Sequence, residues 1–190
     1  MLAKIGTLAT LAVALPVAAA AQINPPAVPT NLQVEAGYTP YLMAQAEGTQ
    51  NYICLLTLSG FAWTFLGPQA TLFDSAAQQI TTHYLSPNPV ESGAARATWQ
   101  HSVDSSAVWA AAAASSTDPA FVAPNSIPWL LLRVVGDQPG PAGGATLVGT
   151  SFIHRVNTQG GTAPAAGCKS ANDIGRKALV PYSTDYVFYR

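Results

Sequence analysis

Charged side chains are scarce in this chain: eight Lys and Arg and nine Asp and Glu stand among 190 residues, 9% of the sequence. A soluble domain ordinarily carries roughly 25%. The few basic residues are scattered, and Arg176-Lys177 is the only adjacent pair. No basic stripe is present for a nucleic-acid backbone, and no polybasic helix for a membrane surface. Several motifs are missing as well. Without a P-loop or G-x-G-x-x-G, nucleotide and dinucleotide binding have no support, and no cofactor is implied. There is no G-x-S-x-G elbow for a hydrolase serine and no N-x-[ST] sequon for N-glycosylation. Low charge does not mean disorder here. The chain is 49% hydrophobic and holds four Trp, seven Tyr and six Phe, so its surface must be covered by Ser, Thr, Gln, Asn and Ala.

What is present begins with an export pattern over residues 1–21. Lys4 supplies a positive start, Ile5 to Val17 an apolar run, and Ala19-Ala20-Ala21 a small-residue cleavage site before Gln22. The run is shorter than the ~20 residues of a bilayer-spanning helix, so a cleaved signal is preferred to an anchor. The mature chain is then expected to be secreted, with no transmembrane anchor. It would keep seven basic and nine acidic residues.

Cysteine is nearly absent, with only Cys54 and Cys168. In an oxidising compartment two cysteines pair by default. A Cys54–Cys168 disulfide would close most of the chain into one loop, worth up to roughly 5 kcal/mol by loop-closure entropy. It also removes both thiols from the list of nucleophiles.

Residues 22–31 are Pro-rich and read as an extended lead-in, leaving residues 32–190 as a single β domain. Strand signals recur at Leu42–Ala46, Asn51–Leu58, Phe61–Phe65, Ala70–Phe73, Gln79–Tyr84, Ala97–Ser102, Ile127–Val135, Leu147–Val156 and Tyr182–Tyr189. Ser59-Gly60 and Asp74-Ser75 mark turns. Gly67-Pro68 reads as a break, and residues 85–96 and 157–167 as loops. Val108–Ala114 holds five consecutive alanines, which favour helix by propensity, but its β surroundings favour strand. Eight to ten short strands between Gly/Pro/Ser turns predict an all-β fold, an antiparallel β-sandwich with a β-barrel as the alternative.

Three constellations bear on chemistry. His83, His101 and His154 lie in three different strands, and only neighbouring strands would bring them together as metal ligands, because no H-x-H pair fixes two of them locally. Glu47, Asp74, Glu91, Asp104, Asp137 and Asp185 are the carboxylates available for hydrolytic acid/base work, which needs two across a cleft. Trp63, Trp99, Trp109 and Trp129 would suit stacking on a sugar or other flat ligand, as would Tyr182, Tyr186 and Tyr189 if exposed. Their alternating apolar settings also fit an ordinary core. Arg155, a charge inside a β run, is expected to pair with Asp185 or another carboxylate.

Several strings resemble a family of exported bacterial and fungal proteins, the domain of unknown function 3455. They include Gln50, Tyr52 and Cys54; Trp63-Thr64-Phe65 before Gly67-Pro68; Leu72-Phe73-Asp74; and His83-Tyr84. Ile127-Pro128-Trp129-Leu130-Leu131-Leu132, Arg155 to Gly161 with Pro164 and Cys168, Val180-Pro181-Tyr182 and Asp185 to Tyr189 follow in order. The resemblance implies no catalytic residues. Some fungal relatives are labelled malate dehydrogenase, a label without physical support in a chain lacking the dinucleotide fingerprint and α/β alternation. The preferred function is a non-enzymatic binding or surface-interaction domain for a glycan, small molecule or cell-surface protein. The alternative is a small exported carbohydrate-acting hydrolase.

Overall fold

The computed structural model describes residues 22–190, so the expected signal segment lies outside the described residues. Eight strands follow one another around a closed sheet. They are β1 (Pro40–Thr57), β2 (Gly60–Phe73), β3 (Gln79–Asn88), β4 (Ala94–His101), β5 (Ala107–Ser116), β6 (Trp129–Gln138), β7 (Phe152–Gly160) and β8 (Lys177–Tyr189). All pairings are antiparallel, and β1 pairs with β8 from Pro40–Tyr189 to Ile53–Lys177. That last ladder closes the sheet. The all-β expectation holds, and the barrel replaces the sandwich preferred on sequence grounds. The reason is β1, whose 18 residues pair with β2 on one edge and with β8 on the other, so that the first strand meets the last.

Strands are fewer and longer than their local signals because glycine and proline bend them without ending them. Leu42–Ala46 and all of Asn51–Leu58 but its last residue are parts of β1, joined through Gly48. A Cβ there would lie 2.6 Å from Ala70 Cβ and closer still to the Gln69 carbonyl, so only glycine permits this approach of β1 and β2. Gly67-Pro68 lies inside β2 at a bulge: Asn51 pairs with Gly67 and Tyr52 with Phe65, leaving Leu66 extra. The alanine run is strand, within β5. Residues 157–160, read as loop, extend β7.

Alternation places one set of side chains inside. Ala44, Ala46, Ala70, Leu72, Trp99, Val108, Ala110, Leu132, Ile153, Tyr182, Tyr186 and Phe188 form the interior core. β6 to β8 are also buried on their outer face, where Leu131, Phe152, Val156, Val187 and Tyr189 form a second cluster. Covering it are the lead-in, through Ile23, Val28 and the fully buried Leu32, and the β5–β6 connection, through Phe121 and Val122. Burial on both faces explains why these strands read as nearly continuous apolar runs. Each fully buried Leu or Phe contributes about 1.5–3 kcal/mol. His154 fastens the lead-in: its Nε2–H donates to the Leu32 carbonyl at 2.6 Å, and its Nδ1 accepts from the Tyr189 hydroxyl at 3.0 Å.

The two barrel ends differ. One carries the β2–β3, β4–β5 and β6–β7 connections and is plugged by Leu147, fully buried from the last of these. Asp104 holds the plug. Its carboxylate accepts from Ser106 N and Oγ and from Thr146 N and Oγ1 at 2.6–2.9 Å, while Ser106 Oγ accepts from Leu147 N. Burial raises the Asp104 pKa, but the bonds from Thr146 and Ser106 outweigh it and hold the carboxyl well below the usual range.

The opposite end carries the β1–β2 hairpin, which rises past its neighbours. β2 pairs with β3 only between Ala70–His83 and Phe73–Gln79, so its first ten residues depend on β1 alone. The Cys54–Cys168 disulfide braces this hairpin against the β7–β8 connection, with Cα atoms 5.4 Å apart and a sequence separation of 114. Trp63 Nε1 donates to the Ala166 carbonyl at 3.0 Å beside it.

Two outcomes are expected. Replacing both cysteines by serine should lower the unfolding free energy by about 2–5 kcal/mol in urea titrations, with the β signature retained at low denaturant. Asp104→Asn should cost about 1–2 kcal/mol at neutral pH. Because the folded pKa is depressed, the contribution of Asp104 is present above about pH 4 and lost as pH falls below it. Stability of Asp104→Asn should therefore fall less than wild type on acidification below pH 4.

Candidate functional site

At the hairpin end the interior is not filled. A cavity of about 360 Å³ lies above the core aromatics and reaches solvent past Phe65 and Leu85. Its volume is at the lower end of the range for small-molecule pockets, about 300–1,000 Å³. Small residues make the space: Ala97 on β4 and Ala110 and Ala112 on β5 occupy positions that a larger side chain would fill. Leu130 and Leu132 from β6 complete an apolar wall.

The floor is aromatic. His83 stacks on Trp99 with ring centroids 4.1 Å apart and 12° between planes, and Tyr186 meets both edge-on at 5.2 and 5.3 Å. His83 Nδ1 lies 2.9 Å from the Thr98 carbonyl. A carbonyl only accepts, so Nδ1 carries the proton and Nε2 the free lone pair. Burial drives the His83 pKa down to about 3; the bond to Thr98 opposes this, and the positive charge of Arg155 adds to it.

The polar wall is Arg155 on β7 with Gln50 on β1 and Tyr186 on β8; Arg96 on β4 also lines the cavity but is paired with Glu91 at 2.7 Å. Arg155 does not pair with Asp185, whose carboxylate accepts from Asn157 instead. Its Nη2 and Nε donate to the Pro128 carbonyl at 2.8 and 3.3 Å. Among the described residues no carboxylate lies within 4.0 Å of it. Gln50 Nε2, the Tyr186 and Tyr182 hydroxyls and Trp99 Nε1 are buried and make no hydrogen bond of good geometry among the described residues, although Tyr182 lies in reach of Gln50 and Tyr186, and Arg155 in reach of Tyr186. Burial raises the phenol pKa of Tyr186, with Arg155 pulling the other way.

The remaining candidates are dispersed. Trp63 sits at the braced hairpin, Trp109 donates to Ser86 Oγ at 2.8 Å, and Trp129 packs on Phe121 under the lead-in. The four tryptophans do not share a surface, and Trp99 alone reaches the cavity. Tyr182, Tyr186 and Tyr189, entertained as exposed, are all buried. The histidines are also apart: His83 is in the cavity, His154 under the lead-in, and His101 beside Asp104 at 3.0 Å. Among the described residues no three His, Cys, Asp or Glu gather as a metal set.

Among the described residues no carboxylate lines the cavity. Glu91 is held by Arg96 and Asn88, which lower its pKa to about 2. Asp74 caps its own turn, and Asp137 accepts from Gly149 N. A larger groove of about 920 Å³ runs outside the β2–β3 gap past Gly67, Tyr84 and Lys177. The poorly paired polar groups Gln50 and Tyr186 line the smaller cavity.

Gln50 entered the sequence reading only within the strings that carry the family resemblance and not as a site residue, and the alanine wall was not singled out. The signal for Gln50 is its register, since Ala44, Ala46, Gly48 and Gln50 alternate and so place a polar amide on the inward face.

Fold and site together define a closed up-and-down antiparallel β-barrel with a solvent-reaching interior cavity. The chain belongs to the family described as Protein of unknown function (DUF3455), whose model matches residues 35–190. Comparison with curated proteins and with solved structures gave no match.

His83 should stay neutral in the folded protein down to about pH 3, whereas the unfolded chain takes up its proton near pH 6.5. Above 6.5 His83 leaves stability unchanged. Between 6.5 and 3 stability falls with falling pH, by up to about 1.4 kcal/mol per unit. The His83 ring resonances should not titrate between about pH 8 and pH 4, and His83→Gln should flatten the pH dependence of unfolding in that window.

Proposed function

We propose that this protein is an exported, non-enzymatic binding protein that holds a small molecule in the mouth of its barrel. The observation that carries the reading is the cavity of about 360 Å³, walled by alanines and floored by His83, Trp99 and Tyr186. A barrel of eight strands has an interior that side chains can fill or that can take one small ligand. Here one end is plugged by Leu147 and the other is left open. The disulfide and the signal-like residues 1–21 support an extracellular location.

The hydrolase alternative is less well supported. Glycoside hydrolysis needs two carboxyl groups facing a cleft, and among the described residues none lines this cavity. Burial of Trp99, Trp109 and Trp129, which leaves only the half-buried Trp63, likewise disfavours a surface platform for glycans.

The test is binding of prodan, an uncharged naphthalene dye whose emission shifts to the blue in an apolar site. Wild-type protein should bind it at one site per chain. Ala97→Leu and Ala112→Leu, which fill the cavity from β4 and β5, should weaken binding at least roughly tenfold, the loss expected when ligand and side chain compete for one space. Thermal stability should be unchanged or slightly raised. Equal binding by wild type and both variants would count against the cavity as the site.

A further inference from the structure

The polar groups at the cavity have a consistent chemistry. Arg155 carries a full positive charge, and its Nη2 and Nε bonds both go to the neutral Pro128 carbonyl. A guanidinium offers five N–H donors in a planar fork and accepts nothing. Gln50 and Tyr186, 2% and 1% exposed, hold an amide nitrogen and a hydroxyl that make no hydrogen bond of good geometry among the described residues, although Tyr182 lies in reach of both and Arg155 in reach of Tyr186. The Tyr182 hydroxyl, four residues from Tyr186 along β8, likewise makes no hydrogen bond of good geometry.

Such groups are costly to leave unmet. A buried donor without an acceptor loses about 1–3 kcal/mol, and native proteins hold few of them. Here Gln50, Tyr182 and Tyr186 reach one another only in poor geometry, beside an arginine without a carboxylate partner among the described residues, and such a cluster is suited to an acceptor from outside the chain. Opposite them the wall is apolar, with Ala97, Ala110, Leu130 and Leu132. The site is therefore two-sided, with donors and an uncompensated positive charge on β1, β7 and β8 and a mainly hydrocarbon wall on β4 to β6, where the other charged lining residue, Arg96, is neutralised by Glu91.

We propose that the ligand is an organic anion, a carboxylate on a compact apolar or aromatic body, with its carboxylate on Arg155, Gln50 and Tyr186 and its body against the alanine and leucine wall. This rests on the cavity being the binding site. Arg is the side chain best matched to a carboxylate, which it meets with two parallel hydrogen bonds. A neutral ligand of the same shape would leave the guanidinium without a counter-charge.

The experiment compares 2-naphthoate with 2-naphthamide, equal in shape and differing in charge, by calorimetric titration of the disulfide-intact protein at neutral pH. Wild type should bind the acid at least roughly tenfold more tightly than the amide, as expected for charge-assisted hydrogen bonds in a desolvated site. Arg155→Met should abolish that preference, and Arg155→Lys should keep part of it. Equal affinity for acid and amide in wild type would overturn the proposal, as would a preference that survives in Arg155→Met. Should Arg155→Met fail to fold, the wild-type ratio and Arg155→Lys decide. If prodan binds and neither naphthyl compound does, the anion proposal falls and the cavity reading stands. If none of the three binds, both fall.

Discussion

Everything in this molecule follows from β1 pairing on both of its edges. A strand that pairs with β2 on one edge and with β8 on the other turns an open meander into a barrel. Closure sorts the side chains into inside and outside along every strand. It also sets tight local demands. Gly48 is required where β1 and β2 press together, and the bulge at Leu66 takes up the curvature that follows. Once the barrel is closed, the outer face of β7 and β8 still carries Phe152, Val156, Val187 and Tyr189. That surplus is why the lead-in is laid across it and fastened by His154.

Interior volume is then divided between stability and function. At the plugged end large side chains do the packing, with Leu147 held down by the Asp104 bonds and Phe188, Trp99 and Tyr186 stacked above it. At the open end alanines replace them. The exchange removes apolar contact worth about 2–5 kcal/mol for each Leu-to-Ala difference in a packed core, and it leaves polar groups poorly paired. A chain selected for stability alone would fill that space with leucine and valine. The cost falls on one region and on residues from six different strands, the pattern expected where structure yields to binding.

Much of the strand content was legible because alternation survives in single segments, as in Tyr182–Tyr189 and Phe61–Phe65. The barrel was legible only as an alternative. Sandwich and barrel differ in whether the first strand meets the last, a contact between residues as far apart in sequence as Ile53 and Lys177 or Pro40 and Tyr189, which leaves no local mark. Gly67-Pro68 misled for a related reason: the same residues that end strands also bend them. Residues 85–96 read as a loop, yet Asn88 is fully buried against Gly136, its amide donating to the Val135 carbonyl and its Oδ1 accepting from Val90 N. Arg155 was visible as an anomaly within a strand, but its expected partner Asp185 points to the other face, as neighbours on β8 must. Of the site, His83 and Trp99 were named for other reasons. The alanine wall was hidden because alanine at an inward position looks like any other core residue until the space in front of it is seen.

The disulfide acquires a different meaning in this light. Loop-closure entropy alone would explain a staple anywhere along the chain. Its position explains more. The first half of β2 has no partner on the β3 side, so the wall beside the cavity is the least supported part of the sheet. Phe65 and Pro68, which line the cavity, belong to this half. Cys54 lies on the partner strand of the same hairpin, and Cys168 ties it to the β7–β8 connection, with the Trp63–Ala166 bond alongside and the backbone bonds of Cys54 to Gly175 and Arg176 carrying the ladder onward. The covalent link therefore falls where hydrogen bonding runs out. It fixes the unsupported hairpin relative to Arg155 and Tyr186 across the mouth, so that the gap between β2 and β3 is held as a defined opening instead of a fraying edge.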